Sequence, residues 1–317
     1  MSDFNIAVIG AGYWGRKHVD ELSRSKSARL VAVSDLLEAN RRICSENFGV
    51  GRTVEDYREI LEDGKVDAVS ICTNNELHYQ VAKEALLAGK HVLVEKPLTM
   101  DAATSSELVG LAKKKGRVLC VGHLFRFNNS VRKLRQMHQD GFFGRLFFIK
   151  VQWTNHNGPV AGRTVLADLG PHAFDIPHFI CGMWPEKSSY FGSQFRRGEL
   201  EETAFIESDY GNGMFLYSEL SWLLPEKKRE IFVVGERACA RADVISQKVV
   251  AQEVMNDEAN REGKLKGIFE VPVAQNNALS EELESFVSDC KAGNPSPINS
   301  GEIGLAAVQS LFSCRKA

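Results

Sequence analysis

The chain has 317 residues, 44% hydrophobic and 25% charged, with a formal net charge of -2. That is ordinary globular composition, long enough for two domains, and it excludes disordered, collagenous and coiled-coil classes. The near-neutral balance gives no electrostatic basis for binding nucleic acid or an anionic membrane surface, and no stretch approaches the ~20 apolar residues of a membrane helix. Seven scattered cysteines, never spaced as a CxxC pair, argue against a disulfide framework or a zinc site and fit a reducing compartment. Met1-Ser2-Asp3-Phe4 runs straight into a strand pattern, so no signal peptide is expected and the protein is read as cytoplasmic.

From Asn5 to about His123 short apolar runs alternate with helix-period stretches. The runs are Ile6–Ile9, Leu30–Val33, Ala68–Ile71, His91–Val94 and Val118–Val121; the stretches include Gly15–Ser23, Leu77–Ala88 and Ala102–Lys115. β-rich runs joined by helices predict an α/β domain with a doubly wound parallel sheet, buried on both faces. After His123 the rhythm changes. A helix is expected over Asn129–Gln139, a strand over Arg145–Thr154 and a helix from about Asp168 to Cys181. Strand patterns then follow one another at Ser188–Phe195, Ala204–Tyr210, Met214–Trp222, Glu230–Val234 and Val244–Val250. Successive strands without intervening helices indicate an open mixed or antiparallel sheet, hence an α+β domain. Helices over Ala278–Ala292 and near Gly301–Cys314 close the chain. The expected division is residues 1–123 as a dinucleotide-binding Rossmann domain and 124–317 as a substrate-binding and oligomerisation domain.

Gly10-Ala11-Gly12-Tyr13-Trp14-Gly15 directly follows the first strand and opens the first helix. The first glycine permits the tight turn, the second lets backbone approach a pyrophosphate, and the third lets helix and strand pack closely. Asp35, about 20 residues further on at the end of the second strand, stands where a carboxylate binds ribose hydroxyls. That acid disfavours a 2′-phosphate and so favours NAD over NADP, although Arg41 and Arg42 nearby work the other way. Thr73, Asn75 and His78 follow the strand Ala68–Ile71, at the carboxyl edge where ligands of open parallel sheets bind. Asn75 is read either as a cofactor contact or as a helix cap. Glu95-Lys96-Pro97 ends the strand His91–Val94 on the same edge, and a proline there can fix the backbone in the cis form.

These residues, with Asp168-Leu169-Gly170-Pro171-His172, occur in the order and spacing of the glucose-fructose oxidoreductase/inositol dehydrogenase (Gfo/Idh/MocA) family, which the chain resembles from Asn5 to about Gly304. Val121–Asn128, Gly158-Pro159 with Arg163, and Trp222–Pro225 with Arg229 further resemble its UDP-N-acetylglucosamine 3-dehydrogenases. Asn74 and Asn129 stand where the family usually has proline, and Val165-Leu166 where it has a glycine pair.

Asp168 and His172 are four apart and share one helix face. The resemblance implies that His172 removes the hydroxyl proton while a hydride leaves carbon for NAD. It also implies that Lys96 stabilises the developing alkoxide and that Asp168 orients substrate or tunes its neighbours. Gly10, Gly12, Tyr13, Trp14, Gly15, Asp35, Thr73, Asn75, His78, Glu95 and Lys96 are the expected cofactor contacts. Arg126, Arg163 and Arg229 join Asp168 and His172 as expected substrate contacts, and no metal is expected. The reading is a dehydrogenase acting on C3 of a UDP-N-acetyl-hexosamine. The alternatives are a dehydrogenase of a free sugar, inositol or diol, or a non-catalytic NAD-sensing protein. A homodimer or homotetramer is expected, because the second sheet has one face left for a partner.

Overall fold

The first strands lie where the apolar runs put them, because every one of them is covered on both faces. In this computed structural model, which describes residues 4–158, 162–196, 200–255, 264–295 and 297–317, the chain forms two compact units. Unit 1 comprises Met1–Leu124 and Asn277–Gln309; unit 2 comprises Phe125–Asn276 and Ser310–Ala317.

Unit 1 runs β1 (Asn5–Ile9), α1 (Tyr13–Ser23), β2 (Arg29–Ser34), α2 (Glu38–Phe48), β3 (Thr53–Val54), α3 (Arg58–Leu61), β4 (Ala68–Ile71), α4 (His78–Leu87), β5 (His91–Glu95), α5 (Ala102–Lys115) and β6 (Leu119–Gly122). Its sheet has the order β3-β2-β1-β4-β5-β6, parallel throughout. All positions of β4 and β5 are buried, as helix-covered faces require. The chain order reverses at β1/β4, the switch point beyond whose carboxyl ends ligands bind in such sheets. The two-residue strand β3 is too short for any sequence period to reveal.

Unit 2 begins with α6 (Asn129–Gln139), β7 (Leu146–His156) and α7 (Val165–Cys181). There follow β8 (Lys187–Ser193), β9 (Thr203–Asp209), β10 (Phe215–Ser221), β11 (Leu223–Gly235), β12 (Ala238–Asp243), β13 (Lys248–Met255), β14 (Lys264–Leu265) and β15 (Phe269–Val271). The sheet is mixed: β7 pairs parallel with β10 and antiparallel with β11. Val131, Leu134 and Phe174 from the helices pack with Ile149, Trp153, Leu216 and Ile231 from the strands. α7 is apolar nearly all round and is buried accordingly.

The expected strand Val244–Val250 is corrected. Residues 244–247 are the turn between β12 and β13, held by the Asp243 carboxylate accepting from the Ile245 and Ser246 amides, with Gln247 at φ 53°.

The final elements are α8 (Ala278–Ala292), α9 (Gly301–Ser313) and β16 (Arg315–Lys316). The expected single boundary near residue 123 differs from the observed units, because α8 belongs to unit 1. Its face of Leu279, Leu283, Phe286, Val287 and Cys290 packs with Ile6, Val8, Leu93 and Cys120, closing one side of the parallel sheet.

Candidate active site

The glycine turn of unit 1 has the geometry its motif demands. Gly10 has φ +90°, and a Cβ there would lie 2.7 Å from the Cys72 carbonyl oxygen. At Gly15 a Cβ would lie 1.8 Å from the Gly10 oxygen, so helix and strand could not approach as they do. Gly12, in contrast, faces open space and is the N-cap of α1 without a side-chain capping bond. The first amides of α1 are thus presented to that space, an arrangement that fits a pyrophosphate.

Asp35 ties the end of β2 to this turn. Its Oδ2 accepts from the Ala11 amide at 2.7 Å, and its Oδ1 accepts from the Leu37 amide at 2.8 Å and Asn40 Nδ2 at 3.1 Å. Arg41 donates to the Asp35 and Leu36 carbonyls at 2.7 and 3.0 Å, and Arg42 lies 3.8 Å from Glu46. Neither arginine is set as a clamp for a 2′-phosphate, which fits NAD. Tyr13 is exposed and meets Trp14 edge-on at 5.7 Å, with the Lys17 ammonium over both rings.

The carboxyl edges of β4 and β5 supply the remaining expected cofactor residues. Thr73 and Asn75 are half-buried at the end of β4, and Asn75 opens a short 3-10 turn rather than capping α4 with its side chain. His78 corrects the expectation of a cofactor contact. It is fully buried, with Nδ1 2.7 Å from the Pro97 carbonyl and Nε2 3.2 Å from that of Thr73. Burial holds its pKa below the ordinary value, the two carbonyls only partly opposing this. It therefore fastens the Thr73 loop to the loop of the cis Lys96–Pro97 bond.

Glu95 also turns inward. It is 6% exposed, its Oε1 lies 3.0 Å from His18 Nε2, and its Oε2 accepts the Lys96 amide at 3.2 Å. Its expected contact with cofactor is thus replaced by contacts inside unit 1. Burial alone would raise its pKa, but the His18 hydrogen bond and charge, with Lys96, bring it below the ordinary range. For His18 burial works downward and is overcome by Cys72 and Glu95, leaving its pKa well above the usual histidine value.

In unit 2, Thr164 caps α7 by accepting from the Ala167 amide at 3.1 Å, placing Asp168 in the first helical turn and His172 one turn later. His172 meets the Phe125 ring edge-on at 4.9 Å, with Trp153 5.9 Å away. Arg163 approaches Asp168 at 3.6 Å. Arg229 lies over Trp153 at 5.3 Å and donates to the Thr154 carbonyl and Asn155 Oδ1, at 2.9 and 2.8 Å. Burial brings its pKa down to about 10, with Asp168 opposing, so it remains a cation at neutral pH. Arg163 thus lies by Asp168 and Arg229 by Trp153, with Phe125 and Trp153 against His172.

Arg126 does not join them. Its guanidinium is 2% exposed, donates from Nε to Asp175 Oδ1 at 2.7 Å and lies 2.7 Å from His178 Nδ1. The expected substrate contact is a buried internal ion pair. Asn128, in the same stretch, caps α6 by accepting from the Ser130 amide at 3.0 Å. Pro159 lies outside the described residues. Among those described, no cluster of three or more histidine, cysteine or acidic groups could hold a metal ion.

The oxidoreductase-family profile for an NAD-binding Rossmann fold matches residues 4–123, and the GFO/IDH/MocA C-terminal domain matches 131–241. A 1,5-anhydro-D-fructose reductase of Ensifer adhaerens is 33% identical over 98% of this chain and 95% of its own. The chain belongs to the GFO/IDH/MocA oxidoreductase family. A myo-inositol 2-dehydrogenase of Thermotoga maritima is 27% identical over 98% of this GFO/IDH/MocA chain and 95% of its own. A solved UDP-N-acetylglucosamine 3-dehydrogenase from Acidithiobacillus ferrooxidans superposes with a TM-score of 0.87 at 24% identity, covering 99% and 97% of the two chains. That likeness concerns the fold alone. This GFO/IDH/MocA member is accordingly an NAD-dependent oxidoreductase acting on CH–OH groups.

Sequence reasoning missed His18. Its signal was a histidine three residues past the last motif glycine, on the first helix, but its partner is 77 residues away and only the fold brings them together.

Proposed function

We propose that this enzyme oxidises a hydroxyl of a free cyclic sugar or inositol, reversibly, with NAD. The bound cofactor supplies the hydride acceptor. His172 takes the hydroxyl proton, Lys96 donates a hydrogen bond to the same oxygen and stabilises its developing charge, and Asp168 orients the substrate. The observation that carries the choice of substrate class is the burial of Arg126 on Asp175, which withdraws a cation that a diphosphate would need. Arg229 is likewise engaged by backbone and side-chain oxygens. The two relatives named for a sugar reductase and an inositol dehydrogenase support the same choice.

A nucleotide-sugar substrate is the second reading, favoured by the half-exposed Arg163. Reduction of NAD and thermal melting, run with UDP, UDP-sugars, free sugars and inositols, separate the two. The proposal predicts turnover of a free sugar or inositol and no shift with UDP. A UDP concentration of 100 Kd would add about 2.7 kcal/mol to stability, and that result would favour the nucleotide sugar.

The sheet face of unit 2 away from its helices carries the cross-strand pair Phe191 and Phe205, 64% and 53% exposed, with Tyr217 beside them. We assign that face to a second copy of the chain, in a homodimer or dimer of dimers; sedimentation showing only monomer at micromolar concentration would refute it. The seven cysteines are free thiols, which supports a reducing, cytoplasmic setting. No helix among the described residues is long and apolar enough to cross a membrane.

A further inference from the structure

Beneath the carboxyl edge of the unit 1 sheet lies a buried polar cluster that the chemistry above does not use. His18 projects from α1, Ser70 from β4 and Glu95 from β5, and the three are 0%, 0% and 6% exposed. His18 Nε2 lies 3.0 Å from Glu95 Oε1, and His18 Nδ1 lies 2.8 Å from Ser70 Oγ. A carboxylate only accepts, so the Nε2 proton is on the histidine in either charge state. The other carboxylate oxygen accepts the amide of Lys96.

The surroundings make room for this arrangement. A Cβ at Gly122 of β6 would come within 3.2 Å of Glu95 Cα, Cδ and Oε2, so glycine there admits the carboxylate. At the other end, α1 is anchored by the Gly15–Gly10 contact, three residues before His18. A buried ion pair is seldom a net source of stability, because desolvation offsets its attraction and an apolar pair of similar size commonly does as well. Its particular property here is that the carboxylate's second oxygen reaches the backbone of Lys96.

We infer that His18 is a positioning residue for Lys96: it holds the Glu95 carboxylate, which holds the Lys96 amide, joining the glycine turn to the lysine through one linkage. The role of Lys96 itself rests on the proposed function. Without the His18 donor, Glu95 is left buried and must take a proton or swing away, and either change loosens the Lys96 amide. A misplacement of about 1 Å at a reacting group costs on the order of a hundredfold in rate.

The test compares His18→Gln, whose Nε2 reaches nearly where the imidazole Nε2 does, with His18→Leu and with His18→Leu/Glu95→Leu. The primary readout needs no substrate: hydrogen exchange of the Lys96 amide in the full chain. We expect exchange at least tenfold faster in His18→Leu, returning toward the wild-type rate in His18→Gln. With the sugar or inositol that wild type oxidises, His18→Leu should lose about ten- to a hundredfold in kcat, while KM and NAD affinity change less than about threefold. The double leucine variant should regain melting temperature but not kcat. Unchanged Lys96 exchange in His18→Leu would overturn the inference, as would kcat returning together with stability in the double variant. A wild-type protein that oxidises no sugar or inositol would overturn the proposed function alone, because the exchange measurement still decides the inference.

Discussion

Two buried ion pairs, one in each unit, stand beside residues of the proposed chemistry and do different work. In unit 1, Glu95 immediately precedes Lys96 and shares its carboxylate between His18 and the lysine's own amide. In unit 2, Asp175 lies three residues beyond His172, but its partner Arg126 reaches on to His178 and lies 5.2 Å over the Phe179 ring. The first pair grips the backbone of Lys96. The second joins the segment before α6 to α7 and is surrounded by packing. A charged residue within a recognisable motif can therefore be turned wholly inward, and its neighbours decide whether its loss is felt in rate or in stability.

The sharpest contrast is with the reacting groups themselves. Lys96→Ala and His172→Ala should each lower kcat by about 10²–10⁴-fold, with NAD affinity in a binding titration little changed in His172→Ala. Turnover that survives either substitution would remove that residue from the mechanism.

Arg126→Ala should act on stability instead. Leaving Asp175 buried without its cation costs about 3–5 kcal/mol in a urea unfolding experiment, with sugar KM little altered in the protein that remains folded. A raised KM at unchanged stability would return Arg126 to the substrate site.

A smaller effect separates the two pairs by pH. His18 has a folded-state pKa above its ordinary value of about 6.5, with Cys72 and Glu95 facing it. Its contribution to stability is therefore complete below the unfolded value and is lost as pH rises through the folded one. The stability difference between wild type and His18→Gln should shrink as pH is raised through that window. A difference that grows would contradict the assignment. Smaller still, Thr164→Ala should cost about 1 kcal/mol through the lost cap of α7.

Much of this was readable from local pattern. Gly10, Gly12 and Gly15 follow a strand and open a helix; the close approach of Gly15 to Gly10 belongs to the turn itself, whereas the space at Gly10 is limited by Cys72 beyond the neighbouring strand. The helical spacing of Asp168 and His172 needed no tertiary information. What escaped was decided at long range. Arg126 meets Asp175 across 49 residues, so its pairing left no mark in the Val121–Asn128 stretch that read as substrate-binding. α8 reads as an ordinary amphipathic helix, and only the exposed side of the parallel sheet explains why it returns to unit 1. Val244-Ile245 has strand composition but forms a turn, because the Asp243 carboxylate offers its amide a local acceptor.

The most direct test follows a label. A free sugar or inositol, the substrate class proposed, would be deuterated at the carbon bearing the reacting hydroxyl, and the nicotinamide product examined by NMR. Direct hydride transfer places the deuterium at C4 of the reduced nicotinamide, with none exchanged into solvent. Reduced nicotinamide lacking the label, or label appearing in water, would contradict hydride transfer from that carbon and with it the roles given to Lys96 and His172.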